Sequence, residues 1–164
     1  MTIRFGILTS SDRSARGERP DLSGPALGDL VTAHGWTVCR TVIVPDELDV
    51  IRETLSTWVD GGQVDVILTT GGTGFAPRDV TPEATSLVID RQAPGLAEAM
   101  RQESRAVTPH AILSRAVAGI RGRVLIINLP GSPKAAVENL QVLLPVLAHA
   151  VELLKEEPDA EKHH

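Results

Sequence analysis

The segment Leu68-Thr69-Thr70-Gly71-Gly72-Thr73-Gly74 joins the end of a buried strand to a glycine-rich loop. Mostly apolar residues precede it over positions 64–68, with little alternation of polar and apolar side chains, as expected for a strand buried on both faces of a parallel sheet. Glycine adopts positive φ and lets the backbone approach a ligand closely. Successive backbone N–H groups in such a loop form a concave anion site. The segment therefore predicts a central parallel strand with an anion-binding loop at its carboxyl end.

The rest of the chain alternates between β-branched apolar runs and helical patterns. Strands are predicted over residues 3–9, 37–44, 64–70 and 124–129, and helices over residues 25–34, 47–60, 82–90, 96–103 and 133–155. This alternation predicts an α/β fold with a mostly parallel sheet and right-handed crossovers. Ligands of such sheets bind beyond the carboxyl ends of the strands, and four candidate segments fall there.

Length and composition predict one domain over residues 1–155, followed by a charged, flexible tail over residues 156–164. The net charge is −5, and two Phe and two Trp are the only aromatic residues. Both features argue against broad nucleic-acid binding, which relies on basic surfaces and stacking side chains. The terminal His163 and His164 resemble a purification-tag remnant rather than a metal site.

The single cysteine, Cys39, excludes an intrachain disulfide and lies in an apolar stretch, so it is expected to be a small buried core residue. The sequence shows no signal peptide, and no apolar run approaches the roughly 20 residues of a membrane span. A cytoplasmic location without membrane contact is expected.

The first two candidate segments follow the first two predicted strands. In Ser11-Asp12-Arg13, Ser and Asp either form turns or bind a ligand, and Arg13 is either a solvated charge or a phosphate contact. In Val44-Pro45-Asp46-Glu47, Asp46 is well placed to cap the next helix, with Asp49 completing a pattern like a capping box. Asp46 is alternatively a carboxylate at the ligand edge that binds Mg²⁺ directly or through water.

The third segment is the glycine loop together with Arg78-Asp79-Val80-Thr81-Pro82. A tight turn explains one or two glycines but not the whole string with its Arg-Asp pair. Thr81 is expected to cap the next helix with Pro82 as its first residue, and that helix start adds partial positive charge. The loop lacks the Gly-Lys-Ser/Thr of a Walker A motif and the spacing of a dinucleotide fingerprint. It predicts a phosphate ligand with Mg²⁺ nearby.

The fourth segment is Asn128-Leu129-Pro130-Gly131-Ser132-Pro133-Lys134. Ser132 is expected to cap a helix that begins at Pro133. The helix dipole disfavours a cation at Lys134, and an anionic ligand would relieve that conflict. Ser114 and Arg115 either donate to the same ligand or lie on an exposed helical face.

Taken together, residues 69–74, 78–82, 114–122 and 128–134 resemble the molybdenum-cofactor biosynthesis family, in its molybdopterin adenylyltransferase branch. The resemblance covers the chain to about residue 155. It implies a single Rossmann-like three-layer α/β/α domain and a homotrimer. It also implies transfer of an adenylyl group from Mg-ATP to molybdopterin, with release of pyrophosphate.

The resemblance also implies residue roles. Asp46 and Asp79 become the catalytic and Mg²⁺-linked carboxylates. The nucleotide phosphates are assigned to Thr70, Gly71, Gly72, Thr73, Gly74 and Arg78. Molybdopterin is assigned to Ser114, Asn128, Pro130, Gly131, Ser132, Lys134, Ser11 and Arg13.

Other readings of the family stay open. A non-catalytic B-type protein would bind molybdopterin without producing pyrophosphate, and its branch tends to depart from the Arg-Asp-Val-Thr-Pro string found here. A molybdate-insertion module would act on adenylated cofactor without ATP, and a competence-family hydrolase would not use molybdopterin. A molybdate-insertion protein is the expected partner of the adenylyltransferase.

Overall fold

The structure, a computed structural model, describes residues 1–163. The strands are β1 (Arg4–Ser10), β2 (Thr37–Val44), β3 (Val66–Thr70), β4 (Arg91–Gln92), β5 (Ala118–Arg121) and β6 (Val124–Leu129). The α-helices are α1 (Asp12–Ala15), α2 (Ser23–Ala33), α3 (Leu48–Asp60), α4 (Thr81–Val88), α5 (Pro94–Arg105) and α6 (Pro133–Leu154). Two 3₁₀ helices span Pro109–Leu113 and Ala160–His163.

Within these residues the strands form one sheet in the order β2-β1-β3-β6-β5-β4. Strands β2, β1, β3 and β6 are parallel to one another, whereas β5 runs antiparallel to β6 and β4 runs antiparallel to β5. The predicted mostly parallel sheet is confirmed. The sequence reading missed β4 and β5 because one has two residues and the other includes a glycine and an arginine, which carry little strand signal.

Apolar side chains on both faces of the central strands produce two hydrophobic cores. In β3, Val66 and Leu68 face the layer that contains α2, α5 and α6, while Ile67 faces the layer of α3 and α4. All five residues of β3 are buried, which explains the lack of alternation in the sequence. The predicted three-layer α/β/α arrangement is confirmed.

Strand β2 is a sheet edge, and this position corrects the prediction for Cys39. The register between β1 and β2 shifts between Phe5 and Gly6, so that Val38 and Arg40 are paired and Cys39 is not. Cys39 is exposed, and the prediction that it belongs to the core is wrong. An edge strand with an irregular register leaves side chains uncovered even within an apolar stretch.

Helix bounds differ from the predictions by at most two residues at either end. Helix α2 begins two residues earlier than predicted, with Pro25 in its first turn, where proline is tolerated. Helix α4 includes Thr81 as its first residue, so the prediction that Thr81 caps this helix is wrong. The predicted Ser132 cap is confirmed, since its hydroxyl accepts a hydrogen bond from the Ala135 N–H at the start of α6.

Among the described residues, α6 alone is long and apolar enough to cross a membrane by length and composition, a test that core helices also pass. Its side chains Leu140, Leu143 and Leu147 are buried in the core. After α6, Ala160 is also buried, within the second 3₁₀ helix. The flexibility predicted for residues 156–164 stays a prediction, and His164 lies outside the described residues.

Asp65 forms an ion-pair cluster directly before β3, at the end of the strand opposite to the glycines. Its carboxylate is 3 % exposed and accepts hydrogen bonds from the Arg4 backbone N–H at 2.8 Å and Arg4 Nη2 at 2.9 Å. Lys155 Nζ lies 3.1 Å from the same carboxylate. Burial alone would raise the pKa of Asp65, but the bonds from Arg4 and Lys155 outweigh burial and hold it below its usual range.

Candidate active site

A cavity of about 460 Å³ opens at the carboxyl ends of the parallel strands. Because β1, β2, β3 and β6 run in the same direction, their following loops meet at this edge. The predicted site residues among its lining are Ser11, Arg13, Asp46, Thr70, Gly71, Gly72, Asp79 and Gly131. The four segments singled out in the sequence therefore share one cavity, which we call the polar cavity.

The first two glycines of the loop have conformations and surroundings that exclude a side chain. Gly71 has φ of 97°, and a Cβ there would lie 2.4 Å from the Ser10 carbonyl oxygen. Gly72 has φ of 68°, and its Cβ would lie 2.5 Å from Thr81 Oγ1. Positive φ is costly for other residues, so both positions require glycine. These two glycines bring main chain, without side chains, to the wall of the polar cavity.

A second cavity of about 260 Å³, here the apolar cavity, lies beside the same loop. Thr73 and Gly74 line it, whereas Gly71 and Gly72 line the polar cavity. The predicted residues Ser114 and Pro130 also line it, together with apolar side chains such as Met100. The glycine loop thus contributes consecutive residues to two neighbouring cavities, an arrangement suited to two ligands that meet at the loop.

Arg115 holds the glycine loop in place through hydrogen bonds to its main-chain carbonyls. Its Nε donates to the Gly74 carbonyl at 2.7 Å and its Nη2 to the Asp79 carbonyl at 2.6 Å. Its backbone N–H donates to the Thr73 carbonyl at 2.8 Å, and its guanidinium pairs with Glu83. Arg115 therefore holds the loop by its main chain, a role that neither alternative from the sequence, a ligand donor or an exposed helical face, describes.

Asp79 lies at the end of the glycine loop with its carboxylate on the polar cavity. Its Oδ2 accepts a hydrogen bond from the Ala76 N–H at 3.0 Å. A Cβ on Gly74 would lie 2.9 Å from the same oxygen, so glycine at that position leaves room for the carboxylate. This local turn and the Arg115 bond to its carbonyl fix where Asp79 points.

Asp46 is not the cap of α3, so the capping interpretation is wrong. Glu47 occupies the cap position and makes no side-chain cap bond. The Asp46 carboxylate instead accepts hydrogen bonds from Ser10 Oγ at 2.6 Å and from the Asp12 N–H at 3.0 Å. The chain turns toward β1 before α3 begins, and this places Asp46 on the polar cavity.

Asp12 is a site residue for which the sequence left two alternatives open, a turn former or a ligand contact. Its Oδ1 accepts from the Asp46 N–H at 2.9 Å, which makes the contact between the two aspartates reciprocal. Both of its carboxylate oxygens accept from Arg78, at 2.5 Å from Nε and 3.0 Å from Nη2. The Arg78 guanidinium and the Asp46 N–H lower the pKa of Asp12 to about 2.

Several predicted residues lie outside both cavities. Asn128 is fully buried, with its amide bonded to Thr69 and Thr85 inside the core, so it does not reach a ligand in this structure. Lys134 is 80 % exposed and lies 3.9 Å from Glu138. Ser132 is taken up by its capping bond and, like Lys134 and Arg78, lines neither cavity.

Thr81 carries a buried hydroxyl at the back of this site. Within residues 1–163 its Oγ1 is inaccessible to solvent and has no hydrogen-bond partner. A Cβ on Gly72 would lie 2.5 Å from this oxygen and 3.4 Å from Asp46 Oδ1, so both oxygens flank the space left open by the glycine. Buried polar groups nearly always have partners, which marks Thr81 as exceptional.

The donor set of the polar cavity fits Mg²⁺ better than a metal held by protein ligands alone. No group of three or more His, Cys, Asp and Glu side chains arranged to hold a metal occurs among the residues that the structure describes. Asp46 and Asp79 supply two carboxylates to an open cavity. Mg²⁺ typically uses one or two carboxylates and keeps several waters or phosphate oxygens.

Strands, loops and cavities together define a Rossmann-like α/β domain with a glycine-rich loop at the carboxyl edge of its sheet. The family model described as "Probable molybdopterin binding domain" matches residues 6–149. The chain belongs to this family, as the resemblance in the sequence predicted.

Individual relatives agree with this membership. A molybdopterin adenylyltransferase of Helicobacter pylori is 44 % identical over 155 residues, which covers 93 % of this chain and 88 % of the relative. The molybdenum cofactor synthesis protein cinnamon of Drosophila melanogaster is 47 % identical, and the chain spans 26 % of its length. The crystal structure of the molybdopterin biosynthesis enzyme MoaB from Thermus thermophilus matches with a TM-score of 0.90 and 51 % identity, over 95 % of this chain and 98 % of that one.

Proposed function

We propose that this chain is a molybdopterin adenylyltransferase that acts in molybdenum cofactor biosynthesis. It transfers the adenylyl group of Mg-ATP to molybdopterin and releases pyrophosphate. The observation that carries the proposal is the glycine loop, which lines a polar cavity with Gly71 and Gly72 and an apolar cavity with Thr73 and Gly74. A reaction between two substrates at the loop requires a separate binding cavity for each of them, and the loop borders two.

The polar cavity is the nucleotide side. Gly71 and Gly72 bring main chain to it, and Arg13 and Arg19 add positive charge to its lining. Thr70 also lines it, with its hydroxyl donating to the Pro130 carbonyl at 2.7 Å. Backbone N–H groups in glycine-rich loops bind phosphate oxygens well, because no side chain separates them from the ligand. Arg78 forms an ion pair with Asp12, which lines this cavity, and contributes a further cation near the polyphosphate.

Asp46 and Asp79 would hold Mg²⁺, directly or through water. When bound, the metal supplies positive charge against the negative charge of the α-phosphate and of the leaving pyrophosphate. The hydrogen bonds to Asp46 from Ser10 and Asp12 and to Asp79 from Ala76 hold the two carboxylates in place for this role.

The apolar cavity is the molybdopterin side. Its apolar walls suit a flat heterocycle, and Ser114 with Ser104 and His110 provides polar groups at its edge. Ser11 and Gly131 lie on the polar cavity and so would meet the phosphate end of molybdopterin, where the two substrates join. Pro130 closes the apolar side next to Gly131.

In the reaction, an oxygen of the terminal phosphate of molybdopterin attacks the α-phosphorus of ATP. The bond between that phosphorus and the oxygen bridging to the β-phosphate breaks, and pyrophosphate leaves with the electron pair. The attacking phosphate is already ionised, so the chain need not supply a general base. Its residues contribute alignment and charge compensation, which are the main requirements of phosphoryl-type transfer.

Assembly, partner and location complete the proposal. The chain works as a homotrimer in the cytoplasm and passes its product to a molybdate-insertion protein. The net charge of −5 supports the expectation that nucleic acid is not among its partners.

Incubation of the protein with molybdopterin, Mg²⁺ and ATP tests the activity. Adenylyl-molybdopterin and pyrophosphate are expected in equal amounts. Asp79→Asn should lower turnover at least a hundredfold and leave molybdopterin binding within twofold, because the amide keeps the shape but not the charge of the carboxylate. A matched control is Asp90→Asn, whose exposed carboxylate lies outside both cavities. Wild-type turnover by Asp79→Asn would reject the metal role.

The similarity to the Thermus MoaB structure supports a second candidate, a B-type protein that binds molybdopterin without adenylylating it. Such a protein would bind molybdopterin and yield no pyrophosphate at any Mg-ATP concentration. The same incubation therefore separates the two candidates.

A further inference from the structure

We infer that Asp12 is a positioning residue of the nucleotide side, which sets the places of both Asp46 and Arg78. The inference rests on the proposed function and deepens it, because Asp12 lines the polar cavity but the sequence assigned it no specific role. It follows from the way in which one carboxylate joins three of the loops that form the site.

The first joint links the loops that follow β1 and β2. Asp12 and Asp46 exchange two hydrogen bonds, each backbone N–H donating to the carboxylate of the other residue, at 2.9 and 3.0 Å. The Ser11 N–H also donates to the Val44 carbonyl at 2.9 Å. A reciprocal pair of this kind fixes both the position and the rotation of the Asp46 carboxylate. Asp46 thereby keeps Oδ1 for Ser10 and the cavity.

The second joint links Asp12 to the loop that follows β3. Arg78 donates from Nε and from Nη2 to the two carboxylate oxygens of Asp12, in the paired geometry that restricts an arginine most strongly. The Arg78 side chain is 59 % exposed and Asp12 is 19 % exposed, so the arginine depends on this carboxylate for its orientation. Without Asp12, Arg78 would sample many rotamers in solvent.

The charges explain why an aspartate is needed at this position. Asp46 and Asp79 bring two negative charges to a cavity that must accept a polyphosphate. Asp12 places its own negative charge against Arg78, so that the cation stays at the rim of the cavity. An asparagine would keep the size of the side chain but could not accept from both nitrogens of Arg78 and from the Asp46 N–H.

Asp12→Asn is the test variant, and Glu18→Gln is its control, because Glu18 forms an exposed ion pair with Arg16 in the same segment and lines neither cavity. Asp12→Asn should lower kcat/KM for Mg-ATP at least tenfold and leave molybdopterin affinity within twofold. The stabilisation of the protein by Mg-ATP, measured as a rise in Tm, should shrink, while the rise caused by molybdopterin should persist. A residue with a purely structural role would lower both rises or neither.

A cycle with Arg78→Met tests the route of the effect. If Asp12 acts through Arg78, the loss caused by Asp12→Asn should be at least threefold smaller in the Arg78→Met background than in the wild type. Losses that simply multiply would overturn this part of the inference. If Asp12→Asn does not fold, Asp12→Glu replaces it, with the charge kept and the carboxyl group displaced by one methylene, under the same expectations.

The outcomes separate the inference from the proposed function. An active wild type with an equally active Asp12→Asn overturns the inference alone. A wild type that binds Mg-ATP but makes no product overturns the proposed function, and the Tm measurements then decide on Asp12. A wild type that neither turns over nor binds Mg-ATP overturns both.

Discussion

Asn128 offers a direct test of whether a residue in a ligand motif serves the ligand or the core. Its amide donates to Thr69 Oγ1 and Thr85 Oγ1, both at 2.9 Å, and its carbonyl oxygen accepts from the Val117 N–H at 3.2 Å. Asn128, Thr69 and Thr85 are all fully buried. Replacement by leucine of similar volume would remove three hydrogen bonds, so that two buried hydroxyls and the Val117 N–H lose their Asn128 partner.

The size of the effect follows from these contacts. A buried hydrogen bond contributes about 1 kcal/mol net, and an unsatisfied buried partner costs roughly 1–3 kcal/mol. For Asn128→Leu we therefore expect a loss of about 3–5 kcal/mol in the free energy of unfolding. In a domain of this length each kcal/mol lowers the Tm by about 2–4 °C, so the Tm should fall by about 10 °C.

Thermal and urea unfolding measure this loss, and molybdopterin titration at low temperature measures binding. Thr85→Val is the matched comparison, since it removes one of the three bonds and should cost only about 1 kcal/mol. Binding by the folded fraction of Asn128→Leu should stay within threefold of wild type. A variant that keeps its Tm within about 2 °C but loses molybdopterin binding would show that the buried network is not the role of Asn128.

Three further predictions concern other parts of the molecule. Asp65→Asn should cost about 2 kcal/mol of unfolding free energy at pH 7. Because folding lowers the pKa of Asp65, the difference from wild type in chemical denaturation should begin to shrink as the pH falls below about 4, the ordinary pKa of aspartate, and should vanish only below the lowered pKa of the folded state. Gly71→Ala should abolish the Mg-ATP-induced rise in Tm, because its Cβ would lie 2.4 Å from the Ser10 carbonyl oxygen. Gly17→Ala is the control, since Gly17 has positive φ but no atom near the position of a Cβ. This control should lose only about 1 kcal/mol of unfolding free energy and keep the Mg-ATP-induced rise. Cys39 should react stoichiometrically with a chromogenic disulfide reagent in the native state without loss of turnover, and an unreactive thiol would contradict its exposure.

The central part of the fold could be predicted because local pattern and burial agree there. The strands predicted over residues 37–44 and 124–129 have the observed bounds. The strand predicted over residues 64–70 differs from the observed β3 only by the two residues before Val66. Apolar runs that end in glycine or proline leave little ambiguity. Strands β4 and β5 could not be found in this way, because they are short and owe their conformation to pairing with β6 rather than to their own residues.

The site was predictable to the extent that sheet topology decides it. Parallel strands bring their following loops together, and this placed Asp46, Asp79 and the glycines Gly71 and Gly72 on one cavity. Tertiary contacts decide the rest. Asn128 and Gly131 are neighbours in one motif, yet one is buried in the core and the other lines the polar cavity, because the chain leaves the sheet between them. The roles of Asp12 and Arg115 depend on partners more than 30 residues away in the chain.

Strand β3 separates an ion-pair cluster that stabilises the fold from the glycine loop of the candidate site. Asp65 and its cations lie before its first residue, and the glycine loop follows its last, about 20 Å away at the usual rise per residue. Substitutions that far apart without shared partners are expected to act additively. Changes that alter heat or acid tolerance around Asp65 can therefore accumulate during evolution, or be introduced by a protein engineer, without altering which ligands the opposite end of the sheet accepts.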